Sequence, residues 1–152
     1  MSSTISDQKP LSNLRYWVPP LLWMVAIFYF STDSFSGENT GSVFYTILHY
    51  FIPSLTLEEV QPLHFLIRKS AHFTEYGILA FLLFRAFCKG KPREWTWRSA
   101  LYSWLILAGY ALTDEFHQTF TNFRGGSIYD SLIDISGGTT ALLLLWLIRK
   151  KR

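Results

Sequence analysis

The chain has 152 residues, of which 49% are hydrophobic, 18% aromatic and only 16% charged. A soluble domain carries about 25% charged residues, so this composition excludes a disordered chain and argues against nucleic acid as a partner. The net charge is +3, and the single cysteine, Cys88, excludes an internal disulfide and any zinc site that needs two or more thiolates. The length predicts one domain over residues 1–152, which is either a small helical membrane protein or an unusually apolar soluble bundle.

Four apolar stretches favour the membrane protein. Their uncharged cores are residues 16–32, 76–84, 99–113 and 135–148. A surface helix of a soluble protein would place charged residues along its length with a period near 3.6, whereas polar residues here extend each stretch at one end. We therefore predict an all-α membrane protein, with Pro19 and Pro20 in the first turn of its first helix. The four transmembrane helices are expected near residues 17–34, 64–88, 97–120 and 127–149.

Basic residues are distributed unevenly between the two sides of this predicted bundle. Eleven of the 14 lie on the side that holds both chain ends: Lys9, Arg15, Arg85, Lys89, Lys91, Arg93, Arg98, Arg149, Lys150, Lys151 and Arg152. The other side holds Arg68, Lys69 and Arg124, together with nine of the 11 acidic residues. Because Lys and Arg accumulate in cytoplasmic loops, we predict that both termini are cytoplasmic.

The segment 35–63 is expected to be a long outer loop. Its SGENTGS run at 36–42 and its Pro53 are typical of turns. Residues 43–51 are amphipathic and predict either a helix at the outer membrane interface or a short helix that caps the bundle. Thr56 and Glu59 match a capping box, which predicts a helix start on the approach to the second span.

Three acidic residues from different predicted helices lie at one depth. Glu75, Asp114 and Asp134 are each 14 to 16 residues from a basic residue at the inner end of their helix. At about 1.5 Å per residue, this places them roughly 21–24 Å from the inner boundary of a hydrocarbon layer about 30 Å thick. Ionisable groups at that depth avoid lipid, so these carboxylates are expected to point at one another.

Helical spacing groups further polar residues with these carboxylates. On the second predicted helix, Arg68, His72 and Glu75 share one face, which Lys69 and Tyr76 border. The remaining candidates are Asp114 and Gln118, flanked by Glu115 and His117, on the third helix, Asp130 and Asp134 on the fourth, and Arg124 in the loop between those two.

Two contacts are expected from this arrangement. Arg68 should pair with Asp114 or Glu115, because these groups lie at matched depths on neighbouring helix ends. Gly137 and Ala141 form a pair of small residues four positions apart, which permits close helix contact. His49 and His64 lie outside the cluster and are expected to be ordinary loop or interface residues.

Four segments of the chain together resemble a known family. RKSAHFTEY at 68–76, DEFHQ at 114–118, FRGGSIYD at 123–130 and an Asp134 before Gly137 are similar to the VanZ-like family of small bacterial membrane proteins. The resemblance covers residues 16–148 and implies a bacterial inner-membrane protein with a role at the cell envelope. The family is named after a member associated with low-level resistance to the glycopeptide teicoplanin. Asp134 stands where many relatives have Asn.

Three functions fit the candidate residues. In the first, Arg68, Lys69 and Arg124 bind the phosphate of an anionic envelope lipid or lipid-linked precursor. The neutral and acidic residues that complete this site are Tyr76, Gln118, Asp130 and Asp134. In the second, an intramembrane enzyme uses His72 or His117 as acid or base, oriented by Glu75, Asp114 or Glu115.

The third function is a divalent metal site built from the same two histidines and three acids, although the nearby basic residues oppose a cation. No metal and no cofactor is expected. Against all three stands a structural hypothesis, in which the charges only keep the four helices in register.

Overall fold

The computed structural model of the protein describes residues 11–90, 95–120 and 127–150, and it describes side chains for residues 14–149 within these ranges. All the regular elements in these residues are helical, which confirms the predicted all-α class. They are α1 (Leu11–Phe30), a 3-10 turn (Asp33–Phe35), α2 (Gly37–Phe51), α3 (Leu57–Phe87), α4 (Trp97–Gln118) and α5 (Ile128–Lys150).

The four predicted long helices correspond to α1, α3, α4 and α5, and their largest boundary errors are at the N-terminal ends. Helix α1 begins at Leu11, six residues before the predicted start. Pro19 and Pro20 therefore lie inside the helix, which contradicts their expected place in the first turn. Because proline has no amide hydrogen, the carbonyls of Arg15 and Tyr16 lose their usual helical donors.

Helix α3 is the central element of the bundle and packs against α1, α2, α4 and α5. Its closest approach is to α5 at Gly137, where an added Cβ would lie 2.1 Å from the carbonyl oxygen of Phe73. Gly77 of α3 faces the same contact, near Gly137 and Ala141. The predicted close contact through small residues is therefore confirmed.

The hydrophobic core lies between these helices, and the outer surface of the bundle is also apolar. The core contains Ile27, Tyr76, Leu79, Ala80, Leu83, Phe84, Leu107, Ala111 and Leu142. Outward-facing side chains such as Leu22, Val25 and Leu143 are more than half exposed. Large exposed apolar areas of this kind mark surfaces that contact a membrane or a partner.

Helix α2 includes the helix predicted over residues 43–51 and begins six residues before it, within the run that was expected to be a turn. The SGENTGS run is helical from Gly37 onward rather than a turn, and the Ser36 hydroxyl caps this helix by accepting from the Asn39 amide at 3.3 Å. Helix α2 packs on α3, while Val43 and Tyr50 on its other face are exposed.

The capping box at the start of α3 is confirmed. The Thr56 hydroxyl accepts from the Glu59 amide at 3.4 Å, and the Glu59 carboxylate accepts from the Thr56 amide at 2.9 Å. The two bonds satisfy amide groups that the first turn of a helix leaves without partners.

Length and composition identify one described helix that can cross a membrane. This is the stretch Ile128–Arg149 of α5, whereas the apolar stretch Leu14–Phe30 of α1 is shorter than a full span. Helices α3 and α4 are long, but their polar residues lower their hydropathy. The observed elements alone therefore support fewer spans than the four that were predicted.

Candidate functional site

Polar side chains from α1, α3, α4 and α5 meet at one end of the bundle. We call the group formed by Ser31, His72, Tyr76, Asp114, Glu115, Gln118 and Asp134 the polar cluster. The other end is aromatic, with ring contacts between Trp17 and Phe87 and between Trp97 and Trp146. The predicted convergence of Asp114 and Asp134 at one level therefore agrees with the contacts around them.

Asp114 is buried between α1 and α4. The Ser31 hydroxyl donates to Asp114 Oδ2 at 2.7 Å, and Gln118 Nε2 donates to the same oxygen at 3.3 Å. Ser31 directly follows the last residue of α1, so this hydrogen bond fixes the end of α1 against α4.

Asp134 is fully buried and faces α3. Its Oδ1 atom lies 3.3 Å from Nδ1 of His72, a distance at which the two form an ion pair when the imidazole is protonated. A carboxylate beside one imidazole nitrogen orients the ring and stabilises its cationic form. His72 therefore has a specific acidic partner on α5.

Glu115 connects α4 to the beginning of α5. Its Oε2 atom accepts from the backbone amide of Ser127 at 2.6 Å, and the Ser127 carbonyl accepts from the Asp130 amide in the first turn of α5. Glu115 thus fixes the start of α5 relative to α4.

Tyr76 lies at the centre of the polar cluster and is completely buried. Its hydroxyl is close enough to Asp114, Glu115 and Asp134 to interact with them electrostatically. The hydroxyl has no hydrogen-bond partner among the described residues. A buried polar group without a partner is uncommon and costly, so this hydroxyl marks a place where the cluster is incomplete.

A cavity of about 350 Å³ lies beside the polar cluster, between α1, the 3-10 turn, α2 and α3. We call it the Arg68 cavity. Its polar wall consists of Ser31, Thr40, His64, Arg68, His72 and Glu75. Its apolar wall consists of Phe30, Phe35, Phe44, Ile67 and Ala71.

Arg68 places its guanidinium against the first turn of α2. An added Cβ at Gly37 would lie 2.4 Å from a guanidinium nitrogen. No acidic group lies within ion-pair distance of Arg68 in the described parts of the chain. The expected pairing of Arg68 with Asp114 or Glu115 is therefore wrong, because Asp114 faces α1 and Glu115 faces the start of α5.

Lys69 points away from the Arg68 cavity. Its ammonium forms an ion pair with Asp130 and lies 5.1 Å from the centre of the Phe65 ring. The positive charge of Lys69 is therefore already balanced, and Asp130 does more than stabilise the start of α5.

His117 stands apart from the other candidates that the structure describes. The His117 ring packs on Phe28 with its centre 4.5 Å away, and it is absent from the cavity wall. Arg124 lies outside the described residues, so its predicted role stays a prediction. Within the residues that can be described, no three His, Cys, Asp or Glu side chains are placed to hold a metal, so the metal hypothesis finds no support.

His64 is a site residue that the sequence reasoning missed. It lines the Arg68 cavity, and its Nε2 atom lies 3.1 Å from the Thr40 hydroxyl. The ring packs against Gly41, while Arg68 packs against Gly37. The sequence spacing could have indicated this position, because His64 and Arg68 are four residues apart on one helix face.

Comparison with models of protein families gives one match, to VanZ/LLP1 over residues 16–149. Comparisons with curated proteins and with solved structures give no significant match. The matched region contains α2, α3 and α4, the part of α1 from Tyr16 onward and nearly all of α5, so it includes the whole polar cluster and the Arg68 cavity. The chain belongs to the VanZ/LLP1 family.

Proposed function

We propose that the protein is a multi-pass protein of the bacterial cytoplasmic membrane that binds the phosphate-bearing head group of an anionic envelope lipid, or of a lipid-linked precursor, in the Arg68 cavity. Helices α1, α3, α4 and α5 span the membrane in this proposal. Both termini are cytoplasmic, and the cavity opens toward the outer leaflet.

The dimensions and surface of the bundle support the membrane assignment. Helices α1, α4 and α5 have 20, 22 and 23 residues, which correspond to about 30–35 Å at 1.5 Å per residue. This matches a hydrocarbon layer of about 30 Å. Tyr76 of α3 and Asp114, Glu115 and Gln118 of α4 lie inside the bundle, as polar groups in spanning helices do.

The distribution of basic residues supports the orientation, and reporter fusions test it. Fusions after Gly90 and after Arg152 should report the cytoplasm, and a fusion after Gly41 should report the outside. A signal from outside the cell at the Gly90 fusion would overturn the orientation and the depth assigned to the polar cluster.

The binding proposal rests mainly on Arg68, for which the described residues provide no acidic partner. A guanidinium that has no ion-pair partner among the described residues lines a cavity that also contains Glu75 and whose other wall is aromatic and aliphatic. Guanidinium groups bind phosphate oxygens through two parallel hydrogen bonds, and the apolar wall suits the first carbons of lipid chains. A volume of about 350 Å³ is within the range of small-ligand sites.

Neighbouring side chains offer such a ligand hydrogen-bond partners and a second positive charge. The Thr40 hydroxyl and the His64 ring lie on the α2 side of the cavity, at hydrogen-bond distance from each other. His72 lies on the α5 side and adds a second positive charge when it is protonated. The opposite walls therefore offer donors to a head group that enters between them.

Arg68→Gln tests the proposal, with Lys69→Gln as the matched control. The two cations are neighbours in the sequence, but the charge of Lys69 is balanced by Asp130. Purified protein in nanodiscs is titrated with phosphatidylglycerol or phosphatidylcholine, and binding is measured by native mass spectrometry. We expect a preference for phosphatidylglycerol that falls about 10- to 100-fold in Arg68→Gln, the usual effect of losing a charged hydrogen bond.

Two outcomes would contradict the proposal. One is equal affinity for both lipids in the unaltered protein, and the other is an equal loss in Lys69→Gln and Arg68→Gln. An additional titration with inorganic phosphate separates a head-group site from a site for free phosphate, because a lipid site should bind the free ion far more weakly.

The pairing of His72 with Asp134 favours a second candidate, an enzyme that moves a proton on a lipid held in the same cavity. His72 would act as the acid or base and Asp134 would orient it. Incubation with a total lipid extract, followed by mass spectrometry, should then reveal a product that His72→Gln fails to form while lipid binding is retained. An unchanged extract would count against this candidate.

A further inference from the structure

The polar cluster contains more negative groups than positive ones. Asp114, Glu115 and Asp134 are each at least 95% buried, and His72 is the one basic side chain in contact with them among the described residues. Burying ionised carboxylates without compensating charge is very unfavourable. Some of these carboxyl groups must therefore be protonated.

Carboxylate oxygens of the cluster that lack a partner among the described residues can accept those protons. Asp114 Oδ1, Glu115 Oε1 and Asp134 Oδ2 are buried and have no hydrogen-bond partner in the described part of the chain. The buried Tyr76 hydroxyl, which also lacks a partner, faces the same three carboxylates. A protonated carboxyl group donates a hydrogen bond that an ionised one cannot, so added protons, with water, complete these contacts.

His72 connects this cluster to the Arg68 cavity. It lines the cavity wall, and its Nδ1 atom lies 3.3 Å from Asp134. The charged or titratable groups placed near it are Arg68, Glu75 and His64 on α3 in the same cavity wall and Asp134 on α5. Asp134 in turn interacts electrostatically with Tyr76 on α3, Asp130 on α5 and Asp114 on α4. Helix α1 contributes Ser31, and α2 contributes Thr40, neither of which carries charge.

We propose that Glu115 and Asp134 form a buried proton-binding site that exchanges protons with the Arg68 cavity through His72, so that binding of an anion beside Arg68 is coupled to the uptake of one proton. This inference rests on the proposed anion site. The proton comes from the solution and is held by the pair of His72 and Asp134, where its positive charge faces the bound anion.

The other histidines are poorly placed for this role. His64 lies beside Arg68, four residues away on the same face, and that positive charge opposes a second one. His117 packs on Phe28 and does not line the cavity. His72 is the histidine that has both an acidic partner and access to the ligand.

Measuring the affinity for phosphatidylglycerol in nanodiscs at several pH values between about 5 and 8 tests the coupling. Where the free site is deprotonated and the occupied site is protonated, affinity should rise by about tenfold for each unit that the pH falls, because one proton is bound with the ligand. Calorimetry in two buffers with different ionisation enthalpies should show uptake of close to one proton per lipid.

Variants separate the failure of this inference from the failure of the anion site. His72→Gln should lower the affinity at low pH to about the value that the unaltered protein shows at high pH, and so remove most of the pH dependence, and Asp134→Asn should reduce that dependence. His117→Gln is the matched control and should keep the dependence unchanged. Binding that is independent of pH in the unaltered protein would overturn the coupling and leave the anion site intact, whereas loss of the preference for the anionic lipid at every pH would overturn both.

Discussion

Gly137 is the described glycine at which an added side chain would have the least room. A methyl group there would lie 2.1 Å from the Phe73 carbonyl oxygen, and this backbone cannot yield without moving α3. We expect Gly137→Ala to lower the free energy of unfolding by about 1–3 kcal/mol, the usual effect of overpacking. Thermal unfolding in a mild detergent would measure it.

Gly109→Ala is the matched control for this substitution. A Cβ at Gly109 meets nothing within 4 Å, so alanine there should leave stability unchanged or raise it slightly through its better helix propensity. Equal melting temperatures for the two variants would contradict the close contact between α3 and α5.

Asp114 should be coupled energetically to Ser31 and not to Arg68. The Ser31 hydroxyl donates to Asp114 at 2.7 Å, whereas Arg68 lies in the cavity wall. A double-mutant cycle with Ser31→Ala and Asp114→Ala should give a coupling of about 0.5–1.5 kcal/mol in unfolding free energy. The cycle of Arg68→Ala with Asp114→Ala should be additive within about 0.5 kcal/mol, and the reverse result would support the pairing expected from the sequence.

The depth of Asp114 and Asp134 was predictable from the sequence, but their partners were not. The rise of about 1.5 Å per residue is the same in every α-helix, so counting from the basic ends gives the level of each carboxylate. The rotation of a helix about its axis depends on packing against its neighbours. That rotation turns Asp114 toward Ser31 and Asp134 toward His72.

At the scale of elements, the capping box of Thr56 and Glu59 stabilises the start of α3. The Glu59 carboxylate accepts from the Thr56 amide and hydroxyl, and these hydrogen bonds lower its pKa below the ordinary value. Because the pKa is lower in the folded state, the stabilisation is complete above the unfolded-state pKa. It is lost as the pH falls through the folded-state pKa.

Glu59→Ala should therefore lower the melting temperature at neutral pH, and its difference from the unaltered protein should shrink on acidification through the carboxyl range. Glu58→Ala is the control, since Glu58 lies in the same exposed turn and takes no part in the capping box. A difference that stays constant with pH would contradict this account of the helix start.

The start of helix α2 shows where local sequence was insufficient, since only its residues 43–51 were predicted to be helical. Gly37 and Gly41 lie in a run that is typical of turns, and nothing in their local pattern distinguishes a turn from a helix. Their role is tertiary, because they make room for Arg68 and His64 on α3. The apolar stretches of α1, α4 and α5 were predictable because their interiors are apolar on all sides, whichever way each helix is rotated.

At the scale of the whole molecule, the two ends of the bundle are built differently. The aromatic end closes on itself through contacts such as that between Phe84 and Trp95. The polar end is covered on one side by α2, which packs on α3 and on the 3-10 turn. The Arg68 cavity exists because α2 forms its outer wall, so the shape of the site depends on an element that contributes little to the core.

Gly37→Leu should separate ligand binding from stability for this reason. A Leu side chain would occupy the space of the Arg68 guanidinium, since even a Cβ lies 2.4 Å from it. We expect the preference for phosphatidylglycerol to fall at least about tenfold through loss of the charged hydrogen bond. The melting temperature should change little, because no α2 residue belongs to the buried core.

Thr46→Leu, on the exposed part of α2, is the control and should leave both measurements unchanged. Full lipid preference in a folded Gly37→Leu variant would show that the guanidinium at this position does not hold the head group.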